Sequence, residues 1–171
     1  CERVVYPLPR IDDALQKLKN PRFFSTMDLM KGFRQIPIAK EDRKYFAFST
    51  GTLHVEYNVM PMGALNSSAT MQALMSLILR GLPAEHIICF LDDILVASAT
   101  MEEHLVHLDL VLGALARAKL KLNPKKCLFA QSSVSCLGHR LSRDGIAPDP
   151  HNLAKIEKWK APTSRTEIRS F

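Results

Sequence analysis

Phe90-Leu91-Asp92-Asp93 sets two adjacent carboxylates between apolar runs, Ile87-Ile88-Cys89-Phe90 before them and Ile94-Leu95-Val96-Ala97 after. Short apolar runs with β-branched residues read as buried strands, and a polar pair between two of them reads as the turn of a hairpin. Such a turn holds two negative charges at the rim of a sheet. Carboxylates this close repel one another and resist ionisation, so a site that keeps both charged supplies a cation, most naturally a hard one such as magnesium. The pattern points to metal-assisted phosphoryl chemistry. Asp is also a favoured turn residue, and the dipeptide taken alone fits a polar bend on a soluble sheet equally well.

The chain carries its own control. Asp12-Asp13 is the same dipeptide, but it follows Pro9 and opens the pattern Ile11, Ala14, Leu15, Leu18, which reads as the acidic first turn of a solvated helix. A third carboxylate separates the two cases. Asp28 stands near the end of a predicted strand over residues 23–29, and adjacent strands lie about 4.8 Å apart. If that strand neighbours the 86–98 hairpin, Asp28, Asp92 and Asp93 converge within reach of two metal ions about 4 Å apart, the arrangement of in-line nucleotidyl transfer.

With 171 residues, of which 47% are hydrophobic and 23% charged, the chain suffices for one domain with a substantial core and does not read as disordered. No apolar stretch approaches the roughly 18 residues of a membrane span and no charged-then-apolar leader opens the chain, so it is expected to be soluble and intracellular, with no membrane partner. The first residue is Cys and the last predicted helix stops abruptly, as in a fragment of something longer. Cys1, Cys89, Cys127 and Cys136 share no close-pair spacing and read as reduced thiols; Cys136-Leu137-Gly138-His139 falls short of a zinc site, which needs four ligands. A net charge of +6 favours a polyanionic partner. The basic residues concentrate at Lys119, Lys121, Lys125 and Lys126 and again at Lys155, Lys158, Lys160, Arg165 and Arg169, which makes the C-terminal third the expected backbone-contacting surface.

Along the chain, a short helix over residues 11–18 leads into the Asp28 strand. Ile36 and Ile38 mark a further strand, with Pro37 favouring an edge, and residues 46–48 and 53–58 form a hairpin across Gly51. Met71, Leu74, Met75, Ile78 and Leu79 give a helix over 67–80. Thr100 and Glu103 cap another, running to about residue 118, whose Leu105, Leu108, Leu112 and Leu115 form the expected buried stripe, with His104 and His107 on a solvated face. Short strands are expected at 121–123, 128–129 and 134–137. Asp149-Pro150 opens a helix through 153–159, and Ser164 with Glu167 opens a last one. Strands clustered with helices between them, mostly antiparallel, predict an α+β fold.

Tyr6-Pro7-Leu8-Pro9-Arg10-Ile11, Phe24-Ser25-Thr26-Met27-Asp28-Leu29 with Gly32-Phe33-Arg34-Gln35-Ile36, Met60-Pro61-Met62-Gly63, Phe90-Leu91-Asp92-Asp93-Ile94-Leu95 and Leu137-Gly138-His139 occur in the order and approximate spacing of a known family. The chain resembles the reverse transcriptase domain of gypsy-type LTR retrotransposon Pol polyproteins over nearly its whole length. The resemblance implies a right-hand polymerase palm with part of the fingers and the start of the thumb, residues 1–171 forming one domain fragment. It implies RNA-directed DNA polymerase activity, adding dNTPs to a primer 3′-hydroxyl on an RNA or DNA template. Asp28, Asp92 and Asp93 fall in the family's catalytic, metal-binding positions for two Mg2+ ions, with Mn2+ a substitute. Leu29, Lys31, Gly32, Phe33, Met62, Gly63 and Gln72 fall in nucleotide-binding positions, Phe33 as a ring under the sugar. Phe90, Leu137, Gly138 and His139 match positions facing template and primer, and Lys125 or Lys126 falls near the lysine that protonates pyrophosphate.

Further partners implied are the remaining fingers and thumb, ribonuclease H and integrase of the polyprotein, within a cytoplasmic virus-like particle. Phe90 stands where Tyr is commoner, and Ser68 and Met71 stand where Pro and Phe are frequent. A catalytically inactive nucleic-acid-binding or structural remnant of such an element is the other reading, and the isolated fragment is expected to be inactive because most of the fingers and thumb is absent.

Overall fold

Residues 4, 6–18 and 20–157 are described by the computed structural model. Cys1, Trp159, the Ser164 helix start with Glu167, and the basic residues Lys158, Lys160, Arg165 and Arg169 lie outside them, as does the side chain of Lys155. Four antiparallel strands form the central sheet in the order β4-β5-β1-β6, where β1 is Phe23–Asp28, β4 Ile87–Phe90, β5 Asp93–Ser98 and β6 Leu128–Gln131. Smaller sheets comprise the hairpin β2 (Ala47–Ser49) with β3 (His54–Glu56), and the meander β7 (Ser133–Cys136), β8 (His139–Ser142) and β9 (Gly145–Pro148). Helices α1 (Ile11–Gln16), α2 (Ser67–Ile78), α3 (Met101–Arg117) and α4 (Pro150–Glu157) complete the α+β architecture.

Successive residues of a strand face opposite sides, and the sheet uses both sides. Met27, Ile94 and Val96 face α2 and α3, in a core with Met71, Met75, Leu108, Val111 and Leu115. Phe24, Leu95 and Ala97 face the other way, in a core with Leu15 of α1 and Val134, Cys136 and Leu141 of the meander. Each such side chain taken from water contributes about 1.5–3 kcal/mol, so two filled faces fix which residues point where. Among the described residues no helix is long and apolar enough to cross a membrane.

Several local expectations change. Residues 36–38 form no strand: Pro37 makes an isolated bridge to Val59, with Ile38 N–H donating to Asn58 and Met60 N–H to Ile36. Proline has no N–H with which to extend a ladder. Segment 121–123 is likewise a single bridge, Leu29 to Leu122. The strands β8 and β9 were not foreseen.

The largest correction concerns α3. Thr100 caps it as expected, its hydroxyl accepting from Glu103 N–H at 3.2 Å. The buried face, however, is His104, Leu108, Val111, Ala114 and Leu115, while Leu105 is 60% exposed. Leucines ring this helix, so periodicity alone does not choose its phase. Polar partners on the sheet do. His104 is fully buried, its ring nitrogens bonded to Ser25 Oγ at 2.7 Å and Ser98 Oγ at 3.1 Å. His107 bonds the same Ser98 hydroxyl at 2.8 Å and stacks on His86 at 4.5 Å. A histidine face that looked solvated is the polar seam between helix and sheet.

Burial, then the neighbouring His107, holds His104 below the ordinary histidine value of 6.5. Burial and then His86 do the same to His107, with Glu103 and Glu85 pulling the other way. A depressed pKa contributes stability that is present above the unfolded value and lost as pH falls through the folded one. The urea midpoint should therefore drop between about pH 7 and about pH 5. His104→Gln should flatten that slope while costing about 1–3 kcal/mol at pH 7 through its unmatched serine partners. A wild-type midpoint equal at both pH values would contradict the assignment.

Candidate active site

Strand β1 ends at Asp28 and β5 begins at Asp93, and the two are direct partners in the antiparallel register. Asp28 alternates with Met27 and Asp93 with Ile94, so both carboxylates lie on the sheet face opposite α2 and α3. Phe90 pairs with Asp93, leaving Leu91-Asp92 as a two-residue turn between β4 and β5. The expected adjacency of the Asp28 strand and the hairpin is thus present. Leu29 N–H reaches back to the Asp92 carbonyl at 3.3 Å.

Leu91 has φ 56°, a conformation costing a side-chain-bearing residue roughly 1–2 kcal/mol. Buried Gln72 of α2 lies beneath it, accepting from Leu91 N–H at 2.8 Å and donating to the Cys89 carbonyl at 3.3 Å. Its polar atoms are committed to the hairpin backbone.

After β1 the chain turns through Lys31, at φ 53°, into a 3-10 turn over Gly32–Gln35. Gly32 is buried because Asp92 is close: a Cβ built there would lie 3.1 Å from the Asp92 Cβ and 3.1 Å from Met71 Cε. Gln35 fastens the loop, donating to the carbonyls of Met30 and Lys121 at 2.9 Å each and accepting from Lys121 N–H at 2.8 Å. Asn123 N–H donates to the Asp28 carbonyl at 2.8 Å. Gln35 and Asn123 were not singled out from sequence, where nothing but the position of Gln35 inside the Gly32-Phe33-Arg34-Gln35 motif marked them.

These elements enclose a cleft of about 570 Å³ walled by Asp28, Asp92, Lys31, Arg34 and Lys126, with Phe33 between wall and core. Leu29, Gly32 and the exposed Met62 also line it; Asp93, Gly63, Gln72 and Lys125 do not. Lys126 Nζ stands 3.0 Å from Asp28 Oδ2. Its pKa is raised, chiefly by that hydrogen bond and then by the Asp28 charge.

Asp93 has its carboxyl held above the ordinary range by partial burial first, then by the charges of Asp92 and Asp28, with Lys126 opposing. The thiols nearby feel the same field: burial followed by Asp93 and Asp92 pushes Cys89 up to about 12, and burial followed by Asp93 does the same to Cys136. Both stay protonated, and Cys89, Cys127 and Cys136 are free.

Hard carboxylate oxygens gathered at one sheet end, with a lysine ammonium already drawn to one of them, suit a divalent cation in donor chemistry. Among the described residues no three His, Cys, Asp or Glu side chains are grouped so that they could hold a metal ion. The β7–β8 turn, Leu137-Gly138, has both φ values positive, at 52° and 81°, which a two-residue hairpin of this hand requires. His139 follows, its ring nitrogen Nδ1 bonded to the Leu137 carbonyl at 3.1 Å and its Nε2 3.7 Å from Asp12. This turn lies outside the cleft wall, on the meander that packs against the carboxylate face.

A family model described as reverse transcriptase (RNA-dependent DNA polymerase) matches residues 2–141. The chain is 43% identical over 166 residues to the retrovirus-related Pol polyprotein from transposon 297 of Drosophila melanogaster, covering 97% of this chain and 16% of that protein. It is 36% identical over 167 residues to the transposon Tf2-3 polyprotein of Schizosaccharomyces pombe, covering 98% of this chain and 12% of that one. Among solved structures, the foamy viral protease-reverse transcriptase dRH in complex with double-stranded DNA superposes with a TM-score of 0.90 at 27% identity, over 99% of this chain and 30% of that one. The same viral protein with an RNA/DNA hybrid gives 0.87 at 27% identity, over 99% of this chain and 23% of that one. The chain thus spans a minor part of each relative.

A carboxyl whose folded pKa is raised contributes stability that is fully present below its unfolded value and is lost as pH rises through the folded one. In chelator at neutral pH, Asp93→Asn should therefore raise the urea midpoint above wild type. The gain should shrink as pH approaches the ordinary Asp value of 3.8. A lower midpoint for the variant at neutral pH would contradict carboxylate repulsion here.

Proposed function

Because this chain belongs to the reverse transcriptase (RNA-dependent DNA polymerase) family, we propose that it supplies the active centre of an RNA-directed DNA polymerase within a retrotransposon Pol polyprotein. That centre joins a dNTP to a primer 3′-hydroxyl on an RNA or DNA template and releases pyrophosphate. The observation that carries the reading is the register pairing of Asp28 with Asp93, with Asp92 on the adjoining turn over a cleft.

Asp28, Asp92 and Asp93 would hold two magnesium ions, or manganese in their place. When bound, these supply Lewis acidity that lowers the pKa of the attacking hydroxyl and offsets the triphosphate charge. Lys31, Arg34 and Lys126 outnumber the two carboxylates on the cleft wall, a balance that suits a triphosphate. Of the two candidate lysines, Lys126 reaches the cleft and carries a proton beside Asp28, so it is the donor to the pyrophosphate leaving group. The template-primer would run across the carboxylate face toward the Leu137-Gly138 turn, with Phe90 and His139 alongside; that the foamy viral relative is complexed with double-stranded DNA and with an RNA/DNA hybrid supports a nucleic-acid duplex as the partner. Fingers, thumb, ribonuclease H and integrase segments, and a cytoplasmic particle, belong to the same proposal.

In a polymerase rebuilt with its flanking Pol segments, Asp92→Asn or Asp28→Asn should lower magnesium-dependent extension by about 10²-fold or more, since several kcal/mol of charge stabilisation are removed. Asp12→Asn, whose carboxyl is exposed and only 3.7 Å from His139, should leave extension within about twofold. Extension by folded Asp92→Asn at the wild-type rate would overturn the assignment of Asp92 to the metal site.

Phe33 is half-buried against the helix-side core and also faces the cleft. As a ring under the sugar it leaves no room for a 2′-hydroxyl, the group that distinguishes ribonucleotides. Phe33→Val should cost about 1–3 kcal/mol of stability. It should also raise ribonucleotide use relative to deoxynucleotide use by about tenfold, about 1.4 kcal/mol of lost discrimination. Competition of the two classes on one template decides it; an unchanged ratio would leave Phe33 a core residue only.

A further inference from the structure

We propose that Gln72 is a positioning residue for the carboxylates: it sets the Leu91-Asp92 turn from beneath and does not touch nucleotide. The proposal rests on the metal-site reading for its consequence, though its structural half stands alone.

Gln72 is 3% exposed, and a buried amide is tolerated only where its polar atoms are matched. Here they are matched by the backbone of one hairpin, Leu91 N–H on Oε1 and the Cys89 carbonyl on Nε2. Within a two-residue turn the N–H of Leu91 has no strand partner. Leucine also gains nothing from its left-handed φ of 56°. The bond from α2 satisfies the donor and selects that conformation, and the next residue along is Asp92. Met71, the preceding residue of α2 and fully buried, places its Cε against Gly32, which in turn approaches Asp92 Cβ. Consecutive side chains of one helix thus underlie both the turn that carries Asp92 and the loop that packs against it. With its amide so committed and outside the cleft wall, Gln72 acts on where the carboxylates stand.

The test uses isotope-labelled chain in chelator, reading amide hydrogen exchange residue by residue, followed by Mn2+ titration as the divalent probe. Wild-type Leu91 N–H should be protected; an unprotected amide overturns the proposal outright. Gln72→Met keeps the volume and removes the hydrogen bonds. It should speed Leu91 exchange by about tenfold, the loss of one hydrogen bond, with amides in the middle of β5 unchanged, and should weaken Mn2+ binding several-fold. Gln72→Glu keeps an acceptor for Leu91 and should retain most of its protection, which decides the matter if the methionine variant does not fold. Leu91 as slow in folded Gln72→Met as in wild type, or equally fast in folded Gln72→Glu and Gln72→Met, would overturn it. Asp92→Asn separates the two readings: Mn2+ bound equally by it and by wild type would sink the metal site, while Leu91 exchange would still report on Gln72.

Discussion

The antiparallel register of β1 against β5 is the constraint on which the rest depends. It sets Asp28 opposite Asp93 and places both on the face away from α2 and α3. A slip of one residue would turn Asp28 into the helix-side core, where a carboxylate loses its solvation and cannot ionise cheaply. What prevents the slip is burial on both faces: Met27 opposite Ile94 and the hydrogen-bonded Ser25 opposite Val96 on one, Phe24 opposite Ala97 and Thr26 opposite Leu95 on the other. The buried side chains hold the register, and the carboxylates take the position it leaves them.

Gathering like charges opposes folding, and the site's surroundings are arranged around that cost. Lys126 approaches Asp28, delivered by a segment that Gln35 and Asn123 fasten to the loop after β1. Gly32 has no Cβ, so the loop closes against Asp92; the strained Leu91 is bonded from below. Such local strain and repulsion persist only where packing elsewhere supplies the stability, and here two cores on opposite sheet faces do so.

The histidine seam shows a different use of buried polarity. Ser25 and Ser98, one on each central strand, receive His104 and His107 of α3, and Ala130 N–H of the edge strand donates to Ser25 as well at 2.9 Å. A leucine-rich helix has several apolar faces that bury comparable area. Matched hydrogen bonds select one of them, because burying an unmatched imidazole or hydroxyl costs more than exchanging one leucine for another.

The sequence by itself determined the hairpin with its paired aspartates, the Thr100 cap, the α+β class and the family, since each is written in local pattern or in motifs read in order. Even the proximity of Asp28 to that hairpin was inferable as a condition, though not as a fact. Tertiary structure decided what depends on segments distant in the chain: that Lys126 rather than Lys125 meets Asp28, that Gln72 is spent on Leu91 and Cys89, and that α3 turns its histidines inward. Helical period fixes the spacing of a face and leaves its phase open when apolar residues surround the axis. For α3 the choice is closed by Ser25, 79 residues from His104 in the chain, because the energy of a buried polar group resides in its match, and that match is absent from the helix's own stretch of sequence.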